Sequence, residues 1–532
     1  MIKKLLNYES KSVAGGAFVI ALFYLLNGIL ALLRNGLLAS HFGASRQLDI
    51  YYAAFRIPDF IYVIFISGAL SAGFIPLFAE KLLKSREEAW KFSNNILTTL
   101  TVILAAGACL VAIFAPLIVS LIVPGFDAAS RQMVANLVRI MMIQPILLGI
   151  SNIIVGILQN FKRFFITSLA PVFYNFGIII GILFFVPLLG LKGLAWGVVF
   201  GALLHFLIQL PSLKNLGFSF KFLPAFRSEN LKKIFSLMIP RTLGLISIQI
   251  NFFIITIIAS TLATGSLAVF NFANDLQSLP QNIFAISFAI SVFPVLSQLS
   301  ERRQIFLQTF KETIKNILFF MVPIAVFYLV LRAQIVRLTL GYGHFGWSDT
   351  ITVIDTLGIF AIGIIGQSLL PFMVRAFFAM KDSVRPFIAG LLGNGLNIVL
   401  SLLLAPHLGV RGLAIAFMIS GYFNFFILWQ FLREKFVSLA ENRILPSLGR
   451  IGLSAVAAGL AIFGVLRLAD VFLDTHKVLG LFIQAALSLG AGLLVYLLIL
   501  SVWQAPEINY LKKFFRSRKR EIIQEEAIDP HA

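Results

Sequence analysis

Few charged side chains interrupt the long apolar stretches of this chain, so those that do are informative about chemistry. Arg34 lies late in the first stretch, and Asn27 stands seven residues before it on the same helical face. Asp49, Arg56 and Asp59 fall near the start of the second, with Arg56 seven residues after Asp49. Arg241 follows Pro240, and Asn271, Asn274, Asp275 and Gln277 cluster within one later stretch. A charge at the middle of a bilayer costs about 2.5–3.5 kcal/mol on insertion scales, so each of these should face a cavity or a partner. The guanidinium fork suits bidentate contact with phosphate oxygens. Arg34 and Arg56 therefore read as the core of an anion-binding site, with Asn27, Asp49, Arg241, Asn274 and Asp275 as its polar lining. The competing reading makes Arg34 and Arg56 structural, paired with Asp49 or Asp59, and lets Arg241 snorkel to the interface. Arg139 and Arg375 are more isolated and read as packing or interface charges.

The residues that would carry other chemistry are missing from the pattern. There is no P-loop, no HExxH and no paired cysteine motif. Cys109 is the single cysteine, and His205 and His344 stand alone, so neither an internal disulfide nor a metal set is expected. The chain is expected not to be an enzyme and to need no cofactor.

The elements that must hold these residues are membrane helices. The chain is 59% hydrophobic and 12% charged, against about 25% charged in soluble domains. About fourteen apolar segments reach the roughly 20 residues a span needs: 13–40, 50–80, 93–123, 132–158, 164–187, 190–212, 231–262, 265–298, 307–331, 351–379, 385–405, 409–432, 449–468 and 478–503. Lys3, Lys4 and Lys11 precede the first, which is longer than a signal-peptide core and is read as a retained span. Most of the 43 Lys and Arg fall in alternate loops, on the side of the N-terminus. By the positive-inside rule that side is cytoplasmic, and an even number of spans puts both termini there. The net charge of +20 is then an orientation signal. It is spread over many short segments, so nucleic acid is not an expected partner.

Pro187-Leu188-Leu189-Gly190-Leu191-Lys192-Gly193-Leu194-Ala195 returns 219 residues later as Pro406-His407-Leu408-Gly409-Val410-Arg411-Gly412-Leu413-Ala414. The same offset carries Lys162 onto Lys381 and Asn175 onto Asn394. Upstream, Ala39-Ser40 matches Ala259-Ser260. A repeat at fixed period implies duplication of one large unit, and six spans per copy make the copies parallel, as in transporters built from two halves. The expected fold is an all-α polytopic membrane protein. Its first six-helix lobe is 1–212, a cytoplasmic linker 213–230, the second lobe 231–432, two extra helices 433–503 and a cytoplasmic tail 504–532.

Several ordered motifs resemble one family. They run from Phe42-Gly43-Ala44 through Asp49, Ala54-Phe55-Arg56-Ile57-Pro58-Asp59, Gly68-Ala69-Leu70-Ser71 and Phe74-Ile75-Pro76. Pro124-Gly125-Phe126, Gln159-Asn160, Ala170-Pro171, Phe293-Pro294-Val295-Leu296-Ser297 and Arg375-Ala376-Phe377-Phe378-Ala379-Met380-Lys381-Asp382 follow in order. Together they are similar to the MviN/MurJ lipid II flippases, of the multidrug/oligosaccharidyl-lipid/polysaccharide exporter superfamily. The resemblance implies an inner-membrane flippase that moves an undecaprenyl-diphosphate-linked peptidoglycan precursor to the outer leaflet. It implies a cationic central cavity for the diphosphate and sugar, and a groove at the last two helices for the lipid tail. It names lipid II or a related polyprenyl-diphosphate glycan, membrane lipids and cell-wall synthesis machinery as partners. The driving force stays open among membrane potential, protons and sodium, with Asp275, Asp355 and Asp382 as carboxylates for a coupling ion. Some cavity positions depart from the family: its Arg and Glu positions fall here at Gly28, Tyr62-Val63 and Ser67, and its Asp-Arg at Asn274-Asp275. Arg241 is expected to compensate in part. A flippase for another polyprenyl-linked glycan, a cation-coupled exporter and a non-transporting scaffold descended from a flippase are the alternatives, with a membrane glycosyltransferase a distant fourth.

Overall fold

The computed structural model describes residues 13–64, 73–436, 441–505 and 508. Gly68 to Ser71, Ser67, the N-terminal lysines and the tail basic run Lys512 to Arg520 lie outside them. The described residues are mostly helical, with no strand among them. The first repeat runs α1 (Val13–Phe42), α2 (Arg46–Tyr62), α3 (Ile75–Lys84), α4 (Arg86–Ile122), α5 (Ala128–Met141), α6 (Ile143–Asn160), α7 (Phe164–Ile180), α8 (Val186–Leu189), α9 (Leu191–Leu207) and α10 (Leu210–Asn215). The second runs α11 (Glu229–Ser260), α12 (Ser266–Pro280), α13 (Ser287–Gln298), α14 (Arg303–Thr339), α15 (Trp347–Ala379), α16 (Val384–Leu408) and α17 (Val410–Phe436), before α18 (Glu441–Phe472) and α19 (Val478–Val502). Among the described residues, twelve helices are long and apolar enough to cross a membrane. The predicted segments 50–80 and 231–262 are helical where described, as α2, α3 and α11, but are not among the twelve.

Short polar side chains set the helix starts. Ser45, Ser85, Asp127 and Ser228 each accept a hydrogen bond from an N–H in the first turn of the helix that follows, satisfying donors that have no intrahelical partner. Pro171, Pro294 and Pro371 lie inside α7, α13 and α15 without ending them. In a membrane, neighbouring helices can re-satisfy the carbonyl a proline frees.

The duplicated phrase encodes one local structure twice. Lys162 and Lys381 are both left-handed, at φ 56° and 58°, as are Gly190 and Gly409, at 58° and 61°. Gly190 N–H donates to Val186, and Gly409 N–H to Ala405. Gly193 lies so close to the preceding helix that a Cβ there would be 2.4 Å from the Phe185 carbonyl. At Gly412 a Cβ would be 2.6 Å from the equivalent carbonyl of Leu404. The repeated glycines thus mark a tight reversal in which backbone packs on backbone. The contact continues along α7 and α9, where Gly177 meets Gly201 and Gly181 meets Gly197. Small residues let membrane helices approach this closely.

The chain forms two compact units. One comprises the residues up to Phe272 with Thr339–Thr352 and Asn394–Ala416; the other comprises Ala273–Leu338, Val353–Gly393 and the residues from Phe417 on. These boundaries differ from the repeat boundaries at 212 and 231. The reason is that α11, the first helix of the second repeat, packs along first-repeat helices. Ile234 joins Phe74, Phe78 and Phe92 in an apolar core. Farther along, Phe253 stacks edge-on against Phe60, and Gly125 N–H donates to the Ser260 hydroxyl. The core of the second unit gathers Phe306, Phe310, Phe372 and Phe377 with residues of α18 and α19. There Tyr496 donates to the Phe319 carbonyl at 2.7 Å, and Gln484 reaches the Leu466 carbonyl and Asp470. These bonds fasten the two extra helices to that core.

At Gly193 the colliding atoms are backbone and cannot rotate away. Gly193→Val is expected to destabilise the protein by about 1–3 kcal/mol, the usual range for overpacking, read as a lower thermal unfolding midpoint in detergent. Gly190→Ala meets no atom within 4 Å and strains only its positive φ, so its shift should be smaller.

Candidate functional site

The first unit holds two half-buried arginine networks. On α1, Arg34 donates from Nη1 to Asn175 Oδ1 at 3.0 Å, and from Nε and Nη2 to Asn35 Oδ1 at 3.2 and 3.0 Å. Asn175 in turn donates to Asn27 Oδ1 at 2.8 Å. The shared face predicted for Asn27 and Arg34 is therefore closed by a third residue on α7. On α2, Arg56 donates from Nη2 to Asn271 Oδ1 at 2.6 Å and from Nε to Thr256 Oγ1 at 3.2 Å. Its guanidinium also lies 5.0 Å from the centre of the Phe252 ring. Asn271 spends its amide nitrogen on the Leu267 carbonyl, which leaves its oxygen turned to Arg56. Asp59, one turn beyond Arg56, feels that charge and accepts from Gln249 at 3.5 Å.

A band of tyrosines lies beside these networks. Tyr174 is within electrostatic reach of Arg34, Asp59, Tyr51 and Tyr62. Gln144 donates to the Tyr174 hydroxyl at 3.1 Å, and Asn152 to the Tyr62 hydroxyl at 3.3 Å. The sequence reading overlooked this band. Its one signal was Tyr62, noted only as a departure where the resembling family has arginine.

Asp49 is held by backbone donors. It is 2% exposed, and its oxygens accept from the backbone N–H groups of Gly265 at 2.7 Å and Ala268 at 2.9 Å. Arg46, not Arg56, is its ion partner, at 3.9 Å. Asp49 is thus the cap of α12, supplied from another helix. A helix N-terminus presents unpaired donors and a partial positive charge, which is what a buried carboxylate needs. Neighbouring loops close round this cap. Arg46 donates to Thr264 and lies over the Phe126 ring. Ala44 N–H donates to Asp349, and His344 N–H to the Ser40 carbonyl.

Asn274 and Asp275 belong to the second unit, where Asn274 accepts from Gln277 at 3.2 Å. Arg241 lies on α11, but its side chain is outside the described residues. Arg139 donates to the Ala112 carbonyl and to Asn136, and Arg375 to the Pro371 carbonyl, in keeping with packing charges. His205 is buried against the Ser151 hydroxyl at 2.6 Å and beside Gln209. The second repeat holds its own asparagine pair: Asn397 donates to Asn251 at 2.5 Å. This pair joins α16 to α11 as Asn175 joins α7 to α1, about one helical turn along.

Asp382 sits in the loop before α16 and accepts from the Lys435 ammonium at 2.6 Å and from Arg385 at 3.2 Å. Partial burial pushes its carboxyl up, but these two cations and the Arg385 N–H outweigh burial and hold it below the ordinary carboxylate range.

Comparison with known proteins follows this geometry. The family model described as "Lipid II flippase MurJ" matches residues 38–482. This chain belongs to the MurJ family of lipid II flippases. A probable lipid II flippase MurJ of Thermotoga maritima is 30% identical over 420 residues, covering 79% of this chain and 85% of that one. One from Haemophilus influenzae is 28% identical over 505 residues, covering 88% and 97%. A solved lipid II flippase MurJ in an inward closed conformation superposes with a TM-score of 0.76 at 26% identity, over 91% of this chain and 98% of that chain. An inward-facing multidrug resistance MATE family transporter of the MOP superfamily shares the fold, with a TM-score of 0.67 at 16% identity. The chain is therefore a multi-pass membrane protein with the all-helical transporter fold of that superfamily.

Two outcomes follow from the bonds of Asp49 and Asp382. Asp49→Ala leaves the α12 N-terminus uncapped and should cost at least the roughly 0.5–2 kcal/mol of an ordinary cap, measured by thermal unfolding; Asp49→Asn should recover part of it. A carboxyl held low stabilises the fold fully above the unfolded pKa of about 3.9, and that stability is lost as pH falls through the lower folded value. The stability gap between the parent chain and Asp382→Asn should accordingly be constant near neutral pH and close in acid.

Proposed function

We propose that this chain carries lipid II from the inner to the outer leaflet of the bacterial cytoplasmic membrane by alternating access, with Arg34 and Arg56 as its diphosphate-reading groups. The observation that carries this reading is the pair of amide-held guanidiniums inside a MurJ-family fold. A polyprenyl tail buries many CH₂ groups at about 0.8 kcal/mol each and stays in the bilayer. The barrier is the polar headgroup, and a cavity that opens to each side in turn lowers it. A phosphate oxygen makes a charge-assisted bond roughly twice as strong as one between neutral groups. It can therefore take over donors now resting on Asn35, Asn175, Thr256 and Asn271. Arg241 adds positive charge in this reading, and both termini lie on the cytoplasmic side by the loop-charge bias.

The coupling ion belongs to the proposal too. Protons, sodium or the membrane potential can drive the cycle. The cations on Asp382 argue against it as the carrier and leave Asp275 and Asp355. Tyr62, hydrogen-bonded to Asn152 where the family has arginine, favours a second reading in which the glycan differs from that of lipid II.

Expression in a bacterium depleted of its own flippase tests the choice. Rescue of growth that is lost in Arg34→Ala and Arg56→Ala, with lipid II reaching the outer leaflet, is the expected result. Full rescue by both variants would remove the arginines from the mechanism. Failure of the correctly inserted parent chain to rescue would favour the second reading.

A further inference from the structure

A cavity of about 690 Å³ lies in the first unit, away from both arginine networks. Its walls include Thr101 of α4, Ile154 of α6, Phe206 of α9, and Phe218 and Phe222 of the linker that follows α10. The only charged residue lining it is Lys214, which is exposed at the end where the linker begins. The linker is held as an extended outer wall. Asn94 donates to the Ser219 carbonyl and accepts from Lys221 N–H, while Thr99 accepts from Ala225 N–H. Alternation then turns Phe218, Phe220 and Phe222 to the cavity, and Phe220 and Phe222 remain 59% and 65% exposed.

This is a slot for an amphiphile. Its depth is hydrocarbon, drawn from helices that cross the bilayer, and its mouth carries one cation. The size falls in the range of about 300–1,000 Å³ typical of small-molecule sites. Lys214 marks the end of the slot at which α10 passes into the linker, a segment that also carries Lys221 and Arg227. Under the positive-inside rule this end meets the leaflet richest in anionic lipid. We propose that the slot seats an acyl chain of an anionic glycerophospholipid, with its phosphate against Lys214 and the inter-repeat linker closed over it. The site is independent of the arginine networks and of the substrate they read.

Trp90 provides the probe, because its ring lies 5.4 Å from that of Phe218. A chain with Trp196, Trp347, Trp429 and Trp503 replaced by Phe keeps it as the sole tryptophan. In nanodiscs of phosphatidylcholine, a minority of dibrominated phosphatidylglycerol should quench Trp90 more strongly than the same amount of dibrominated phosphatidylcholine. Lys214→Gln, an exposed change that leaves the fold intact, should reduce that preference by about fivefold, the change for about 1 kcal/mol per lysine near an anionic surface. Thr101→Phe should fill the slot and lower quenching by both lipids. Equal quenching by the two lipids in the parent chain, or an undiminished preference in Lys214→Gln, overturns the headgroup contact. Undiminished quenching in a folded Thr101→Phe overturns the slot as the seat of the chain and leaves only annular lipid.

Discussion

A polar group that enters hydrocarbon has to be satisfied from inside the protein, and the arrangement of this chain follows from that constraint. Three charges within the first unit are each met by a group that another helix delivers. Arg34 on α1 is met by Asn175 on α7, Arg56 on α2 by Thr256 on α11 and Asn271 on α12, and Asp49 on α2 by the first amides of α12. Such bonds fix which helices are neighbours more tightly than apolar contact can, since lipid tails are as apolar as leucine. Glycine backbones supply the complementary constraint. Where Gly181 meets Gly197 and Gly193 meets the Phe185 carbonyl, no side chain separates the helices. The glycines thus set the spacing of α7 and α9, and the asparagine bonds then join α7 to α1.

Duplication has preserved this frame and released the charges. Lys162 and Lys381, Gly190 and Gly409, and Gly193 and Gly412 keep the same backbone geometry in both copies. The α1–α7 and α11–α16 asparagine pairs persist in kind, though displaced by about a turn. Arg34 aligns with Ile254 at the Ala39–Ala259 offset and Arg56 with Ser278 where Pro58 matches Pro280, so the guanidiniums belong to one copy. Backbone geometry leaves little room for substitution where one glycine backbone packs on another. An amide pair in lipid can slip along its helices so long as both members move together. A charge is kept only where something uses it, which is why asymmetry collects at the arginines.

The legibility of the sequence divides along the same line. Helices, the repeat and the shared face of Asn27 and Arg34 were readable, because apolar length, offset and a seven-residue spacing are local or periodic signals. The capping role of Asp49 was not readable because its partners are backbone N–H groups some 216 residues away, and backbone donors leave no mark in residue types. Asn175 was visible only as a repeated letter, since the bond that makes it functional runs to α1. The tyrosine band was missed because hydroxyls at Tyr51, Tyr62 and Tyr174 look like ordinary interfacial aromatics until the fold brings them beside Arg34 and Asp59.

The choice of asparagine as the partner of Arg34 and Arg56 bears on transport. A tight buried ion pair satisfies a guanidinium so well that an incoming phosphate would have to displace an equal. An amide oxygen satisfies its hydrogen-bonding geometry while leaving the exchange for a charged oxygen favourable, because charge-assisted bonds are the stronger ones. Asn271 is also pre-oriented by the Leu267 carbonyl, and Asn175 by Asn27, so each can give up the arginine without leaving its own amide nitrogen unsatisfied. In the role proposed for them, Arg34 and Arg56 would rest on amides until an anion arrives and then exchange those bonds for stronger ones. A transporter that must bind and then let go needs both properties, and a carboxylate in place of either asparagine would remove the second.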